Sequence, residues 1–255
     1  MNDIFSLAGR HALVTGASGG LGAHFAATLG AAGARVTLAG RRLAPLDRLV
    51  DTLAARHVDA CAVSMDVTDE ASVRAGLDHA HERFGPVDVA VCAAGMAMTR
   101  GSLALSCADW DKVMDVNLKG CWLVANETAR RLVDAQRPGC IIAVSSILGH
   151  RVAGNVLPYT VSKAGLEQLT RGLALEWARH GIRVNALAPG YVETEMNREF
   201  FASDAGQAMI RRIPQRRLGR ACDLDGALLL LASDASAYMT GASIVVDGGH
   251  LQSSL

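Results

Sequence analysis

The 255-residue sequence predicts an α/β fold, a parallel β-sheet with helices packed on both faces. Three observations carry that expectation. Seven short β-rich runs alternate with longer segments of helical periodicity. The runs are apolar at successive positions, the pattern of strands covered on both faces. No linker-like composition and no internal repeat divides the chain, so residues 1–255 read as a single domain.

In chain order the strands are expected at His11–Thr15, Arg35–Ala39, Ala60–Ser64, Val87–Cys92, Cys140–Ser145, Arg183–Ala188 and Ser243–Val246. The helices between them are expected at Gly20–Ala32, Ala44–Arg56, Glu70–Phe84, Cys107–Gln136, Pro158–His180 and Cys222–Ala232. Right-handed crossovers then gather the carboxyl ends of the strands at one edge, where ligand chemistry collects in open sheets.

The stretch Thr15-Gly16-Ala17-Ser18-Gly19-Gly20-Leu21-Gly22 joins the first strand to an alanine-rich helix. Gly16 permits a tight turn, while Gly20 and Gly22 let backbone approach a pyrophosphate and helix pack on strand; Ser18 and Leu21 lie in the same turn. The helix start adds free N–H groups and positive dipole. The second strand ends Gly40-Arg41-Arg42, with no acidic residue from Arg35 up to Asp47. An acid there would bond the ribose 2′-hydroxyl of NAD, whereas Arg41 with Ser18 suits the 2′-phosphate of NADP. A solvated arginine pair opening a helix is the alternative. Asp66 and Val67, after the third strand, are candidates for the adenine, with Asp66 as acceptor; Asp69 is placed to cap the next helix. Ala94 and Gly95, after the fourth, leave room beneath a flat cofactor ring.

Chemistry is expected at three places. Asn117 is a polar amide inside a helical segment, unfavourable there without specific hydrogen bonds. Ser145-Ser146 ends the fifth strand. Tyr159 and Lys163 are i,i+4 on one helix, so phenol and ammonium can enter one cleft. A free tyrosine titrates near ~10, and two close cations, the lysine and a nicotinamide, favour the phenolate. Ordinary surface spacing is the alternative, yet only three of the 25 basic residues are lysine. Arginine does not replace a compact, tunable ammonium.

From Arg10 to Gly249 these residues closely resemble the short-chain dehydrogenase/reductase family in its single-domain branch: Thr15-Gly16-x3-Gly20-x-Gly22, Asn117, Ser146, Tyr159-x3-Lys163, Pro189-Gly190-x3-Thr194 and Val246-Asp247-Gly248-Gly249. The resemblance implies a Rossmann-type doubly wound seven-stranded sheet of order 3-2-1-4-5-6-7 and hydride transfer with NADP(H), NAD(H) being possible. It implies Tyr159 as general acid/base, Ser146 polarising the substrate oxygen, Lys163 on the nicotinamide ribose and Asn117 anchoring a water. Val192 would meet the carboxamide through its backbone, with Thr194 nearby. A homotetramer is implied, with Leu118–Ala129 and Gly165–Trp177 as candidate faces. The family's Asn-Asn-Ala-Gly after the fourth strand is here Cys92-Ala93-Ala94-Gly95, so weaker bracing is expected there. The reaction implied is interconversion of a secondary alcohol and a ketone. Alternatives are a 3-oxoacyl-carrier-protein reductase docking through Arg137, Arg179 and His180, a sugar-acid dehydrogenase of the gluconate 5-dehydrogenase kind, and a dinucleotide-binding sensor without turnover.

Composition bounds the rest. Half the residues are hydrophobic and 20% charged, against disorder. A formal net charge of zero without a basic block argues against nucleic acid. The first residues lack a secretory pattern, and the longest apolar run, Ala227–Ala232, is too short for a bilayer. Six cysteines without C-x-x-C spacing read as buried reduced thiols of a cytoplasmic protein, and no metal site is expected, His79 and His81 included. Residues 193–214 are expected to form a mobile lid whose apolar inner face carries Met196, Phe200, Phe201 and Met209. Arg100, Arg151 and Arg198 are candidate charges at its mouth, and His150 a candidate polar contact to substrate.

Overall fold

The computed structural model describes residues 4–194 and 197–253. Met196, assigned above to a lid, lies outside them. Seven parallel strands, β1 (His11–Thr15), β2 (Arg35–Gly40), β3 (Ala60–Ser64), β4 (Val89–Cys92), β5 (Gly139–Val144), β6 (Ile182–Pro189) and β7 (Ser243–Val246), form a single sheet. Its order is β3-β2-β1-β4-β5-β6-β7, with the implied reversal between β1 and β4.

Strand residues alternate between two cores. Val14, Val36, Leu38, Val91 and Ile142 pack against α1 (Gly20–Ala31), α2 (Leu43–Ala54) and α9 (Asp225–Ala232) through Phe25, Leu46 and Leu228. Leu13, Ala90, Ile141 and Val184 face α3 (Glu70–Phe84), α5 (Gly120–Asp134) and α6 (Leu157–Trp177) through Leu77, Val124 and Leu166. Burial on both faces is why the strands read as continuous apolar runs.

Three boundaries differ from the sequence expectation. β4 begins at Val89 because Asp88 is spent at the strand entrance, where its carboxylate accepts from His11 N at 2.9 Å and Arg137 at 2.7 Å. The helix expected over Cys107–Gln136 divides into α4 (Cys107–Met114), a π-helical turn over Asp115–Lys119, and α5. Among the described residues of 193–214 are two short helices, α7 (Arg198–Ala202) and α8 (Asp204–Ile210). All six cysteines are free, but Cys107, which opens α4, and Cys222, in a 3₁₀ turn over Ala221–Leu224, are exposed. Among the described residues no helix is long and apolar enough to cross a membrane.

A buried polar chain ties β1, β2 and β3 together. His11, fully buried, lies 2.9 Å from the Gly85 carbonyl through Nδ1 and 2.8 Å from Thr37 Oγ1 through Nε2. A carbonyl only accepts, so Nδ1 carries the proton, Nε2 accepts from Thr37, and the Thr37 oxygen accepts from Cys61 Sγ at 3.2 Å. Burial, then the Arg35 charge, lowers the His11 pKa against the pull of Gly85 and Asp88. The unfolded chain therefore binds a proton that the folded chain refuses, and stability falls as pH drops below about 6.5. Urea midpoints at pH 7.5 and 5.5 are expected to show this loss in the wild type. In His11→Gln the midpoint starts lower and the acid-dependent part shrinks to what other groups such as His250 contribute.

Candidate functional site

The site is assembled at the carboxyl edge of the sheet. The turn after β1 has no side-chain cap on α1: Gly19 is the N-cap, and nothing lies within 4 Å of a Cβ built on Gly19 or Gly20. No side chain caps the first N–H groups of α1 and nothing crowds Gly19 or Gly20, as an anion cradle requires. Gly16 has φ +68° and would place a Cβ 2.8 Å from Ala94 Cα, and a Cβ on Gly22 would overlap the Gly16 carbonyl oxygen. These are the close approaches that exclude side chains. Ser18 sits against the end of β2, since a Cβ on Gly40 would lie 3.8 Å from Ser18 Cβ. Arg41, next in the chain, is exposed and enters no ion pair among the described residues. Asp66 Oδ1 accepts from Thr68 N at 3.0 Å and Thr68 Oγ1 at 2.8 Å; these bonds, with the Arg41 charge behind them, lower its pKa. That oxygen holds the turn, which leaves Oδ2 for a ligand. The side chain of Val67 is buried against Gly120, where a Cβ would approach to 2.7 Å. Asp69 caps α3 as expected.

Where Asn-Asn was missing, Thr15 supplies the brace. Its Oγ1 accepts from Ala94 N at 3.1 Å and donates to the Val91 carbonyl at 3.5 Å. Gly95 then passes over two functional groups, a Cβ there lying 3.5 Å from Asn117 Oδ1 and 3.7 Å from Lys163 Nζ. Ala94 and Gly95 therefore run between the Gly16 turn and the Asn117 and Lys163 side chains.

Asn117 occupies the middle of the π turn and is 1% exposed. Oδ1 accepts from Met96 N at 2.8 Å, while Nδ2 donates to the Met96 carbonyl at 2.9 Å and Ser162 Oγ at 3.0 Å. Ser162 Oγ donates in turn to the Tyr159 carbonyl at 2.7 Å. The amide thus braces the loop after β4 against α6, with one Oδ1 lone pair left.

Ser146 is buried and caps a short 3₁₀ turn, its Oγ accepting from Leu148 N at 3.1 Å. It also bonds the Tyr159 phenol, which favours the phenolate, but burial is the larger effect and raises the Tyr159 pKa. Lys163 is 5% exposed; Nζ donates to the Val144 carbonyl at 2.7 Å and lies 5.5 Å from the Tyr159 ring centre. Burial lowers its pKa to about 8, with the Cys121 and Glu167 charges acting the other way. The ammonium lies over the ring face, tied to a carbonyl, and burial prevails in the Tyr159 pKa. Ser145 Oγ is buried without a partner.

The expected Pro189, Gly190, Val192 and Thr194 line the exit of β6. Gly190 would place a Cβ 2.7 Å from Asp247 Cα, and Gly248 and Gly249 adopt φ +64° and +84° beneath Asp247, which accepts from Gly249 N at 2.7 Å. Glycine at 190 and the Asp-Gly-Gly run are thus two sides of one contact. Asn197 accepts from Thr194 N and donates to the Val192 carbonyl, both at 2.8 Å, leaving the Val192 N–H as its available backbone group.

Several surface expectations change. Arg100 pairs with Asp109 at 2.5 Å and Arg198 with Glu193 at 3.4 Å, so neither is a spare charge. Arg151 donates to the His250 carbonyl at 2.7 Å and Ser253 Oγ at 3.4 Å and enters no ion pair among the described residues. His150 turns toward Ser243 Oγ at 3.2 Å and Glu167 Oε1 at 3.4 Å instead of the cleft. Phe200 is exposed, and Phe201 is buried edge-on to Tyr191, ring centres 5.8 Å apart. Arg137, Arg179 and His180 precede β5 and β6, at the amino edge opposite the site, and cannot form a docking rim for it.

Two residues were missed by sequence reasoning. Tyr191 is held against His250 at 5.4 Å and interacts electrostatically with Tyr159 and Arg151; burial, then Tyr159, raises its pKa. His250 is 7% exposed with Nδ1 unpartnered, its pKa lowered by burial and Arg151. No local pattern marks either residue; Tyr191 follows Pro189-Gly190, which was the available signal.

The glycine cradle, the open α1 start and the partly unpartnered Lys163 ammonium fit a nicotinamide dinucleotide. The family model described as enoyl-(acyl-carrier-protein) reductase matches residues 16–250. The gluconate 5-dehydrogenase of Gluconobacter oxydans is 36% identical over 97% of this chain and 96% of its own. A short-chain type dehydrogenase/reductase from Mycobacterium marinum is 38% identical over 97% and 98% of the two chains, with TM-score 0.92. A gluconate 5-dehydrogenase from Burkholderia cenocepacia, solved with NADP and tartrate, is 35% identical over 99% of each, with TM-score 0.94.

Two glycine substitutions separate fold from binding. Gly22→Val forces α1 off β1 and is expected to destabilise the chain by about 1–3 kcal/mol. Gly19→Ala has extended backbone and open space, so its melting temperature should match the wild type while its NADP-induced thermal shift shrinks, the methyl group occupying the anion's space. Thermal denaturation with and without NADP reads both.

Proposed function

The chain belongs to the short-chain dehydrogenase/reductase family, NAD(P)-dependent oxidoreductases acting on CH–OH groups, and we propose that it interconverts a polyhydroxy acid and its keto acid with preference for NADP(H). The observation that carries the catalytic part is Ser146, Tyr159 and Lys163 brought together beside the open glycine cradle. The bound dinucleotide supplies the hydride donor or acceptor.

Gly16, Ser18, Gly20, Leu21 and Gly22 would hold its phosphates; Arg41 with Ser18 the 2′-phosphate; Asp66 and Val67 the adenine. Ala94, Gly95, Pro189, Gly190, Val192 and Thr194 would flank the nicotinamide. Ser146 Oγ donates to the substrate oxygen, and the Tyr159 hydroxyl gives or takes that oxygen's proton. Lys163 supplies a fixed positive charge that favours loss of the Tyr159 proton. Asn117 keeps α6 and the β4 loop in register. The sugar-acid reading is supported by the gluconate-acting relative and by Arg151, Tyr191 and His250 beside Tyr159, a cationic and hydrogen-bonding set suited to a carboxylate. A lid over 193–214 would close on it. The acyl-carrier reading loses its docking rim, and a sensor would need none of the buried triad. Exposed Trp122, Val133 and Leu175 on α5 and α6 support a homotetramer, and the free cysteines fit a cytoplasmic protein.

NADPH and NADH oxidation is to be followed with keto-sugar acids, acetoacetyl thioesters, neutral ketoses and cyclic ketones. Turnover is expected with the keto-sugar acids, and Tyr159→Phe should lower kcat by ~10²–10⁴-fold. Arg41→Ala should weaken NADPH roughly 10- to 100-fold and NADH little, as loss of charge-assisted bonds predicts. Reduction should hold through neutral pH, where burial keeps the phenol protonated. Above about 8 it should decline as Lys163 loses its proton. Light scattering tests assembly, four times the 26.7 kDa chain mass being expected.

A further inference from the structure

Arg151 is held at both ends yet keeps half of its guanidinium unspent. Its backbone belongs to the turn that follows Ser146, where Gly149 N donates to the Ser146 carbonyl at 2.9 Å and Arg151 N to the Ile147 carbonyl at 3.0 Å. Its Nη1 donates to the His250 carbonyl at 2.7 Å and to Ser253 Oγ at 3.4 Å. Among the described residues every side-chain hydrogen bond of Arg151 leaves from Nη1, and no carboxylate pairs with it. Nε and Nη2 stay available, and they form the edge of the fork that matches the two oxygens of a carboxylate.

The support for that guanidinium is rigid. Asp247, after β7, accepts from Gly249 N at 2.7 Å and from Leu251 N at 2.5 Å, which closes the 3₁₀ turn His250–Gln252. Ser253 Oγ donates to the His250 carbonyl at 2.8 Å. Both Asp247 oxygens are committed inside the turn and do not answer Arg151. The His250 ring lies 5.4 Å from that of Tyr191, which meets Phe201 of α7 at 5.8 Å. The end of the 193–214 segment rests on the same turn, a Cβ on Gly249 lying 3.2 Å from Pro214 Cγ. His250 adds no second charge, because burial, then Arg151, lowers its pKa and keeps it neutral. A partly buried cation fixed without a counter-ion is unfavourable by itself and suits an incoming anion.

We propose that Arg151 is the specificity-determining residue of the substrate site: its Nε/Nη2 edge takes the substrate carboxylate, and the carboxyl-terminal turn aims it. This rests on the reading of the reaction as interconversion of a polyhydroxy acid and its keto acid. A neutral ketose of the same length makes no such pair. Choice of acid over neutral sugar therefore depends on Arg151, and residues 247–253, distant in sequence from every catalytic group, decide how well that choice is made.

The ratio of kcat/KM for a keto-sugar acid to that for the neutral ketose of equal length reads this choice. Arg151→Gln is expected to lower the ratio about 10- to 100-fold, the loss of a charge-assisted pair, through KM more than kcat. Arg151→Lys keeps the charge without the fork and should recover part of it. Asp247→Ala frees the turn and should lower the ratio with the guanidinium intact. A purely structural Arg151 would slow both substrates alike; an unchanged ratio in Arg151→Gln thus overturns the proposal, and one in Asp247→Ala overturns the role of the turn. If Arg151→Gln does not fold, Arg151→Lys carries the test, no loss of ratio overturning it. A second readout needs no turnover: calorimetric titration of the enzyme–NADPH complex with gluconate and with its neutral counterpart sorbitol. Gluconate should bind the wild type more tightly than sorbitol does, and Arg151→Gln roughly tenfold or more weakly. Equal gluconate affinity in the two proteins, or none in the wild type, overturns the carboxylate site. If no keto-sugar acid is reduced but gluconate binding still depends on Arg151, the assigned reaction fails and the carboxylate site stands. If keto-sugar acids are reduced and Arg151→Gln keeps the ratio, the reaction stands and the site fails.

Discussion

A buried ammonium bonded to a strand-end carbonyl holds the working edge of this molecule together. Lys163 Nζ, 2.7 Å from the Val144 oxygen, fixes α6 to the carboxyl end of β5. Tyr159 stands one turn before it and Ser146 two residues beyond Val144, so a single bond sets the spacing of all three. Burying a lysine is unfavourable, which shows in its lowered pKa. The fold tolerates that cost where a charge is needed.

Around that bond the polar groups divide into braces and available groups. Asn117 spends its amide on Met96 and Ser162, and a π turn is what aims it inward from an otherwise regular helix. Thr15 braces Ala94 where two asparagines are absent. Ser145 Oγ, His250 Nδ1 and Glu167 Oε1 are buried without partners, and all three lie around the cleft or directly behind it. Elsewhere buried polar groups such as His11 and Thr37 are satisfied in closed chains. Unsatisfied polarity is therefore concentrated where chemistry is expected.

The two edges of the sheet have opposite characters. At the amino edge Asp88, Arg137 and His11 are locked to one another, and Arg183 ties β6 to the end of α9 through Leu231, Ser233 and Ser236. At the carboxyl edge backbone approaches backbone through glycine: Gly16 to Ala94, Gly22 to Gly16, Gly190 to Asp247. The first edge sustains stability, and the second keeps space for a ligand.

While the strand order came from the family resemblance, the sequence by itself determined the alternation of strands and helices, the glycine turn and the placing of Tyr159 and Lys163 on one helix face. Those depend on short-range signals: runs buried on both faces, glycines at close approaches, and two side chains one helical turn apart. Only the tertiary structure decided which charges are spent and which remain. Arg100 and Arg198 looked like Arg151 in the sequence, yet two find carboxylates and one does not. His150 and Glu167 gave no local sign of meeting behind Lys163, nor Tyr191 and His250 of meeting beside Tyr159. Such pairings join residues 17 to 59 positions apart. They are set by how helices and loops settle on the finished sheet, which no local periodicity records.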